Sequence, residues 1–274
     1  MLYDLAPNII AFSTERRTED IYQPYAGFNV NPFTGDAPSH VALCQRQLAN
    51  DLQLPLERLV IPHQVHGTRS LLVDQALLSQ LADDAPSDSA PFLPQMEGVD
   101  ALLTNLPEVC IGVSTADCVP LLFFDPVTHS IGVAHAGWRG TVARIGVLTV
   151  ARMYEAFGAH PQDVRCIIGP SIGPKAFEVG DDVYLSFSQA GFPMPRIARR
   201  IPFASSAHSR RWRLDLWQAN AWQLLCAGLL SENITISGIC THTDYARFFS
   251  ARRLGISSGR IFSGLVMRNT QLPT

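Results

Sequence analysis

Three short stretches combine residue types that can do chemistry with positions at the ends of apolar runs. His63-Gln64-Val65-His66-Gly67 follows a strand-like run and a proline. Two imidazoles three residues apart, ahead of a glycine, can point into a pocket or stay polar loop residues. Thr115-Ala116-Asp117-Cys118-Val119-Pro120 lies between two apolar runs. A cysteine beside an acid and just ahead of a proline reads as a turn residue, not a mid-strand one. That favours Cys118 as a functional thiol, with a buried structural thiol as the alternative. Ala134-His135-Ala136-Gly137-Trp138-Arg139-Gly140 reads as a strand handing over to a helix. Its glycines permit unusual backbone angles and close approach by a ligand. Arg139 stands where free N–H groups, the helix dipole and a guanidinium suit phosphate. A tight turn with a solvent-facing arginine is the plainer reading.

His66, Cys118 and His135 all end strand-like runs, and adjacent strands can bring such ends together. One thiolate and two imidazoles form a borderline-soft donor set suited to Zn²⁺. Three protein ligands leave a fourth position open to water, which is the catalytic pattern; structural zinc usually closes with four. A single thiolate leaves a divalent ion near +1, enough to lower the pKa of water and to polarise an oxygen or ring nitrogen. No zinc-finger spacing occurs. The six cysteines (Cys44, Cys110, Cys118, Cys166, Cys226, Cys240) lie far apart without a CxxC pair, so they form no disulfide scaffold. Cys110, Cys166 and Cys240 read as small core residues.

The elements that must position these residues follow from periodicity. Strand-like runs fall at 8–12, 57–62, 69–74, 100–104, 109–114, 120–125, 130–135, 164–169, 234–240 and 260–267. Helix-like patterns fall at 39–53, 140–158, 181–189 and 215–230, with Asp215 as an N-cap and Thr141 as a candidate start of the second. Consecutive strands over 100–135, then a helix, argue α+β with mixed β-sheets and flanking helices, in a single domain over 1–274. Segments 82–98 (rich in Pro, Ser and Asp) and 191–212 (rich in Pro and Arg) read as mobile loops. The arginines of the second segment form a solvated loop, a subunit contact or a phosphate-attracting rim.

Of 274 residues, 47% are hydrophobic and 16% charged, with a net charge of −3. That mixture supports a large core and excludes disorder for the bulk of the chain. It argues against a strongly basic nucleic-acid binder. No run of about 18 apolar residues appears, so no membrane helix is expected. The first residues carry no basic leader, so no secretory signal is expected. Free cysteines then suit a reducing cytoplasm.

Longer motifs now carry a resemblance. QVHG at 64–67, TADCVPLLFFDP at 115–126, HAGWRG at 135–140, GPSIGPKAFEVG at 169–180, CTHTDYARFFSARR at 240–253 and SGR at 258–260 resemble the YfiH family, also called the laccase-domain or polyphenol-oxidase family. FNVNPFTGD at 28–36 is similar to that family's amino-terminal segment. The resemblance spans nearly the whole chain; His63 before QVHG is a departure from many relatives. It implies an α+β fold shared with a group once proposed to be cysteine hydrolases, with zinc ligands at His66, Cys118 and His135. It also implies a cytoplasmic enzyme that cleaves adenosine, inosine and S-methyl-5′-thioadenosine with phosphate, and that can deaminate adenosine.

Phosphorolysis needs phosphate held beneath the sugar. Arg139 is the first candidate for that role, with Arg46 or Arg253 assisting. Asp117 and Gln64 are candidates for proton transfer or base contact, and His242 for substrate contact. Asp117 next to Cys118 would point away from the metal in extended backbone, and would then bond nearby N–H groups. The His-x-Glu and Pro-Cys-x-x-Cys motifs of zinc deaminases are absent. A copper-dependent polyphenol oxidase is the competing enzyme. None of the 8 histidines forms a His-x-His pair, which argues against a trinuclear copper cluster. A single copper at the same trio is possible in vitro, because Cu²⁺ outcompetes Zn²⁺ for such donors. A cysteine hydrolase pairing Cys118 with His135 would use the same residues, and so would a zinc-stabilised binding fold. The expected state is monomer or homodimer.

Overall fold

Apolar residues dominate Val119–Asp125 and Ser130–Ala136 without alternation, and every residue of both strands is buried. A strand reads this way when both of its faces are covered. The computed structural model describes residues 1–84, 86, 88–201 and 211–269. In chain order its strands are β1 (Leu2–Ala6), β2 (Ile9–Ser13), β3 (Leu59–Val60), β4 (Ser70–Leu72), β5 (Ala101–Thr104), β6 (Cys110–Thr115), β7 (Val119–Asp125), β8 (Ser130–Ala136), β9 (Arg165–Ile168), β10 (Glu178–Val179), β11 (Ala198–Arg200), β12 (Trp212–Leu214), β13 (Ile234–Ile236) and β14 (Ile261–Met267). The helices are α1 (Pro38–Asp51), α2 (Gln75–Asp83), α3 (Trp138–Val142), α4 (Ile145–Phe157), α5 (Asp181–Gln189), α6 (Met194–Ile197), α7 (Leu216–Cys226) and α8 (Ala251–Leu254).

Two mixed sheets pack face to face. One has the order β13-β9-β7-β8-β5-β4, the other β1-β2-β14-β6-β3. Leu122, Phe124 and Val133 of the first sheet share a core with Ile111, Val113 and Leu265 of the second. Successive strand residues point to opposite faces. Leu121, Phe123 and Ala134 therefore meet Ile145 and Met153 of α4 and Leu224 of α7. The outer face of the second sheet is covered by α1, where Cys44 and Leu48 pack on Phe12 and Phe262. Each fully buried Leu or Phe in these layers contributes about 1.5–3 kcal/mol. The result is the α+β fold of mixed sheets and flanking helices that the order of strands and helices predicts, and the structure builds it in four layers. No helix among the described residues is long and apolar enough to cross a membrane.

The helix pattern at 140–158 needs correction, and the two loop-like segments contain regular structure among their described residues. The pattern at 140–158 is two helices, because Arg144 takes φ +67 between α3 and α4. Its guanidinium donates to the Ala190 carbonyl at 2.7 Å and lies 4.1 Å from the Phe192 ring, which fixes the bend. Thr141 is thus buried inside α3, not at a helix start. The described part of 191–212 is α6, β11 and the start of β12, and β10-β12-β11 make a small antiparallel sheet. Residues 202–210, with Arg210, lie outside the described residues. Segment 82–98 opens at the end of α2 and is anchored by buried Leu93 and Met96; Ala85 and Ser87 lie outside the described residues.

Candidate active site

Antiparallel pairing places Val119 of β7 opposite Ala136 of β8, and Pro120 opposite His135. Cys118, just before β7, therefore arrives beside the end of β8. His66 comes from the loop between β3 and β4. The ligand atoms of His66, Cys118 and His135 all lie within 4.8 Å of one another. The two imidazole rings stand 4.7 Å apart at 66°. A Cβ at Gly137 would sit 3.0 Å from Cys118 Sγ and 3.1 Å from His66 Cδ2, so only glycine fits there without displacing a donor.

Asp100 builds this cluster. It is wholly buried at the head of β5. Its carboxylate accepts the N–H groups of Val65 at 3.2 Å, His66 at 3.0 Å and Gly67 at 2.7 Å. It also accepts His135 Nδ1–H at 2.8 Å, which turns Nε2 toward Cys118 and His66. Those bonds hold His66 at φ +63, a left-handed conformation that costs a non-glycine residue about 1–3 kcal/mol. Burial pushes the Asp100 carboxyl up, but the His135 bond and charge and the loop N–H groups outweigh it, and the net shift is downward. Burial likewise pushes the Cys118 thiol up, and the two imidazoles bring it down to about 6. His135 is pushed down by burial and raised on balance by Cys118 and Asp100. A thiol whose pKa is drawn down, beside oriented imidazoles, fits a divalent ion of borderline softness.

The cluster lies in the wall of a cavity of about 560 Å³. Phe33, His63, Trp138, Arg252 and Arg260 line it as well. His63 Nδ1–H donates to Glu97 Oε1 at 2.7 Å, and its ring lies 4.4 Å from that of Phe33, tilted by 32°. Burial lowers the Arg260 guanidinium below its ordinary range, and its N–H groups donate to the carbonyls of Ile256, Ser258 and Gly259.

The other expected site residues lie in varied surroundings, some on the cavity wall and some away from it. Gln64 lines the cavity, but its amide is spent on the Ser114 main chain, at 3.0 Å and 2.7 Å. Asp117 also lines it, at φ +83. Its carboxylate accepts the Thr241 hydroxyl and the Arg252 N–H, each at 2.6 Å, and so ties α8 and the 240s loop to the site. Arg139 lies over the Trp138 ring at 4.4 Å and does not line the cavity. Arg46 lies on α1 and donates to the Asp88 carbonyl. Arg253 rests over Tyr245 at 4.5 Å. Neither lines the cavity, whereas Arg252 and Arg260 do. Adjacent residues on a helix point about 100° apart, so the ARR tripeptide could not settle which arginine faces inward. His242 lines a neighbouring cavity. Cys110 and Cys166 are core residues whose thiols burial pushes far up. Cys240 is only half-buried, and its sulfur accepts the Gly173 N–H at 3.2 Å. Asp100 carries the one sequence signal that was open to reading: an acid heading an apolar strand is costly unless partnered.

A cysteine sulfur and two imidazoles, gathered at sheet ends on a cavity wall and braced by a buried carboxylate, define an α+β protein with a cluster able to hold a metal ion. The chain belongs to the multi-copper polyphenol oxidoreductase laccase family, the YfiH-like proteins, whose family model matches residues 10–268. It is 43% identical over 260 residues to a purine nucleoside phosphorylase of Bacteroides thetaiotaomicron, covering 95% of this chain and 92% of that one. It is 39% identical over 255 residues to an adenosine deaminase from an unknown prokaryotic organism, covering 93% and 92%. The crystal structure of Bacillus licheniformis hypothetical protein YfiH superposes with a TM-score of 0.82 at 26% identity, over 97% of this chain and 99% of that one.

The close approach at Gly137 gives a test of the cluster. Gly137→Ala is expected to displace Cys118 or His66 and to weaken metal binding about tenfold or more. Competition with a chromophoric chelator measures this; unchanged affinity would show that the donors are set elsewhere.

Proposed function

We propose that the chain is a zinc-dependent purine nucleoside phosphorylase. It cleaves adenosine, inosine and S-methyl-5′-thioadenosine with phosphate to the free base and the (methylthio)ribose 1-phosphate, and it deaminates adenosine. The observation that carries this reading is the convergence of His66, Cys118 and His135 on a cavity wide enough for a nucleoside. The Bacteroides phosphorylase and the adenosine deaminase support the two reaction classes.

The trio would hold the ion, which when bound supplies Lewis acidity toward an oxygen or a purine ring nitrogen. Asp100 keeps His135 in the tautomer that presents Nε2. Phosphorolysis develops negative charge on the leaving purine and brings an anion to the sugar. Arg252 and Arg260 place positive charge in the cavity wall for those anions. The carbonyls around Arg260 hold its guanidinium in place. Trp138 and Phe33 offer apolar faces to the base. Asp117 is a positioning residue, since both of its oxygens are occupied by Thr241 and Arg252.

Incubating metal-analysed protein with adenosine, with and without phosphate, tests the proposal. Adenine formed only with phosphate, and inosine formed without it, are the expected products. Absence of both sinks the reading. Zinc rather than copper is the expected ion in protein purified without added metal. A second reading has one observation behind it: Cys118, His135 and Asp100 also form a thiol–imidazole–carboxylate relay. Turnover that survives complete chelation of the metal would favour that cysteine-hydrolase reading; loss of turnover is the expected result.

A further inference from the structure

A second cavity, of about 680 Å³, adjoins the first, and Arg252 lines both. Among the described residues, its wall carries Lys175, Arg211, Arg252 and His242, against one acid, Glu178. The chain as a whole has a net charge of −3, so this groove runs against the global field. Its guanidinium groups each have a protein partner. Glu178 accepts from Arg211 through Oε1 at 2.5 Å, and from Arg252 through its main-chain oxygen at 3.1 Å. Arg252 also lies over the Phe177 ring at 5.8 Å. Asp181, at the start of α5, is engaged by the Trp212 indole N–H at 2.8 Å. Asp181 and Asp182, in the first turn of α5, do not line the groove, so among its described lining residues one carboxylate, Glu178, stands against Lys175, Arg211 and Arg252.

We propose that this groove is an anion site that takes a phosphate dianion on Arg252, Lys175 and Arg211. Guanidinium forks match pairs of phosphate oxygens, and an ammonium adds an adaptable point charge. Arg252 sits on the ridge between the cavities, so an anion held there lies at the border of the nucleoside space. The phosphate is either free inorganic phosphate or the 5′-phosphate of a nucleotide whose base and sugar occupy the first cavity. The assignment rests on the phosphorylase reading for its role in turnover, not for the binding itself.

The test compares the intact protein with Arg252→Gln and with Lys175→Gln/Arg211→Gln, each checked for folding by circular dichroism. In the first arm, inorganic phosphate is titrated calorimetrically, and phosphorolysis is measured at varied phosphate. Kd and KM for phosphate are expected to rise about tenfold or more in both variants. Phosphate-independent conversion of adenosine to inosine by the double variant is expected to stay within about twofold of the parent rate. In the second arm, adenosine 5′-monophosphate replaces phosphate; a loss confined to the nucleotide assigns the groove to the esterified group. Unchanged affinity for both anions in the double variant overturns the proposal. Phosphate binding lost in the variants, in a protein that cleaves no nucleoside, would sustain the groove and sink the phosphorylase reading. Cleavage whose phosphate KM ignores all three substitutions would do the reverse.

Discussion

Cys118→Ala is expected to abolish both phosphorolysis and deamination, with kcat falling by about three orders of magnitude or more. The reason is the donor count. With one of three ligands removed, two imidazoles remain and the only anionic donor is gone. The same variant should stay folded. Cys118 sits in a turn just before β7, outside the packed layers, and its removal deletes one sulfur from a cavity wall. Metal-free variant and metal-free parent should therefore melt within a few degrees of each other. Comparing metal-loaded forms would mix in the stabilisation that the ion itself confers. Metal analysis, product chromatography and thermal melts on one preparation decide the matter. Full activity in Cys118→Ala would remove the ion from the mechanism. Unfolding of the metal-free variant would instead favour a structural role.

Much of this fold was legible because its strands are buried on two faces. Runs such as 109–114 and 130–135 lie within a residue of β6 and β8, since a short, β-branched apolar stretch suits a strand enclosed on both faces. The N-cap at Asp215 could be read for a local reason, and its carboxylate does accept the Gln218 N–H at 3.0 Å. The small sheet of β10, β11 and β12 could not. Its strands are two or three residues long, and their pairing depends on contacts far apart in sequence. The break at Arg144 was hidden too, because the apolar period passes through it and only the Ala190 carbonyl and Phe192 explain it.

At the site, spacing identified donors but not their supports. His66, Cys118 and His135 were visible as reactive types at strand ends. Asp117 and Gln64 looked equally chemical, yet both are occupied with backbone and hydroxyl partners that only the folded chain supplies. Arg139 shows the limit of a motif argument. Its place at the start of α3 was legible, but its side chain covers Trp138 instead of facing the cavity.

Asp100→Asn should be the most damaging isosteric change. Each oxygen of Asp100 serves two donors: Oδ1 takes the His66 N–H and His135 Nδ1–H, and Oδ2 takes the Val65 and Gly67 N–H groups. An amide must set its own N–H groups against one such pair. The His66 loop then loses its anchor, or His135 loses its tautomer, and metal affinity is expected to fall about 10–100-fold. Asp100→Ala goes further. It leaves buried donors without acceptors, each costing about 1–3 kcal/mol, so a loss of roughly 3–5 kcal/mol of stability is expected. The acid limb of the stability curve supplies the sign. The folded carboxyl titrates below its ordinary range, so its contribution is present above that range and is lost as pH falls through the folded value. Asp100→Asn should flatten that limb as it weakens metal binding. A variant with the parent's acid limb and metal affinity would mean that the four hydrogen bonds do not hold the site together.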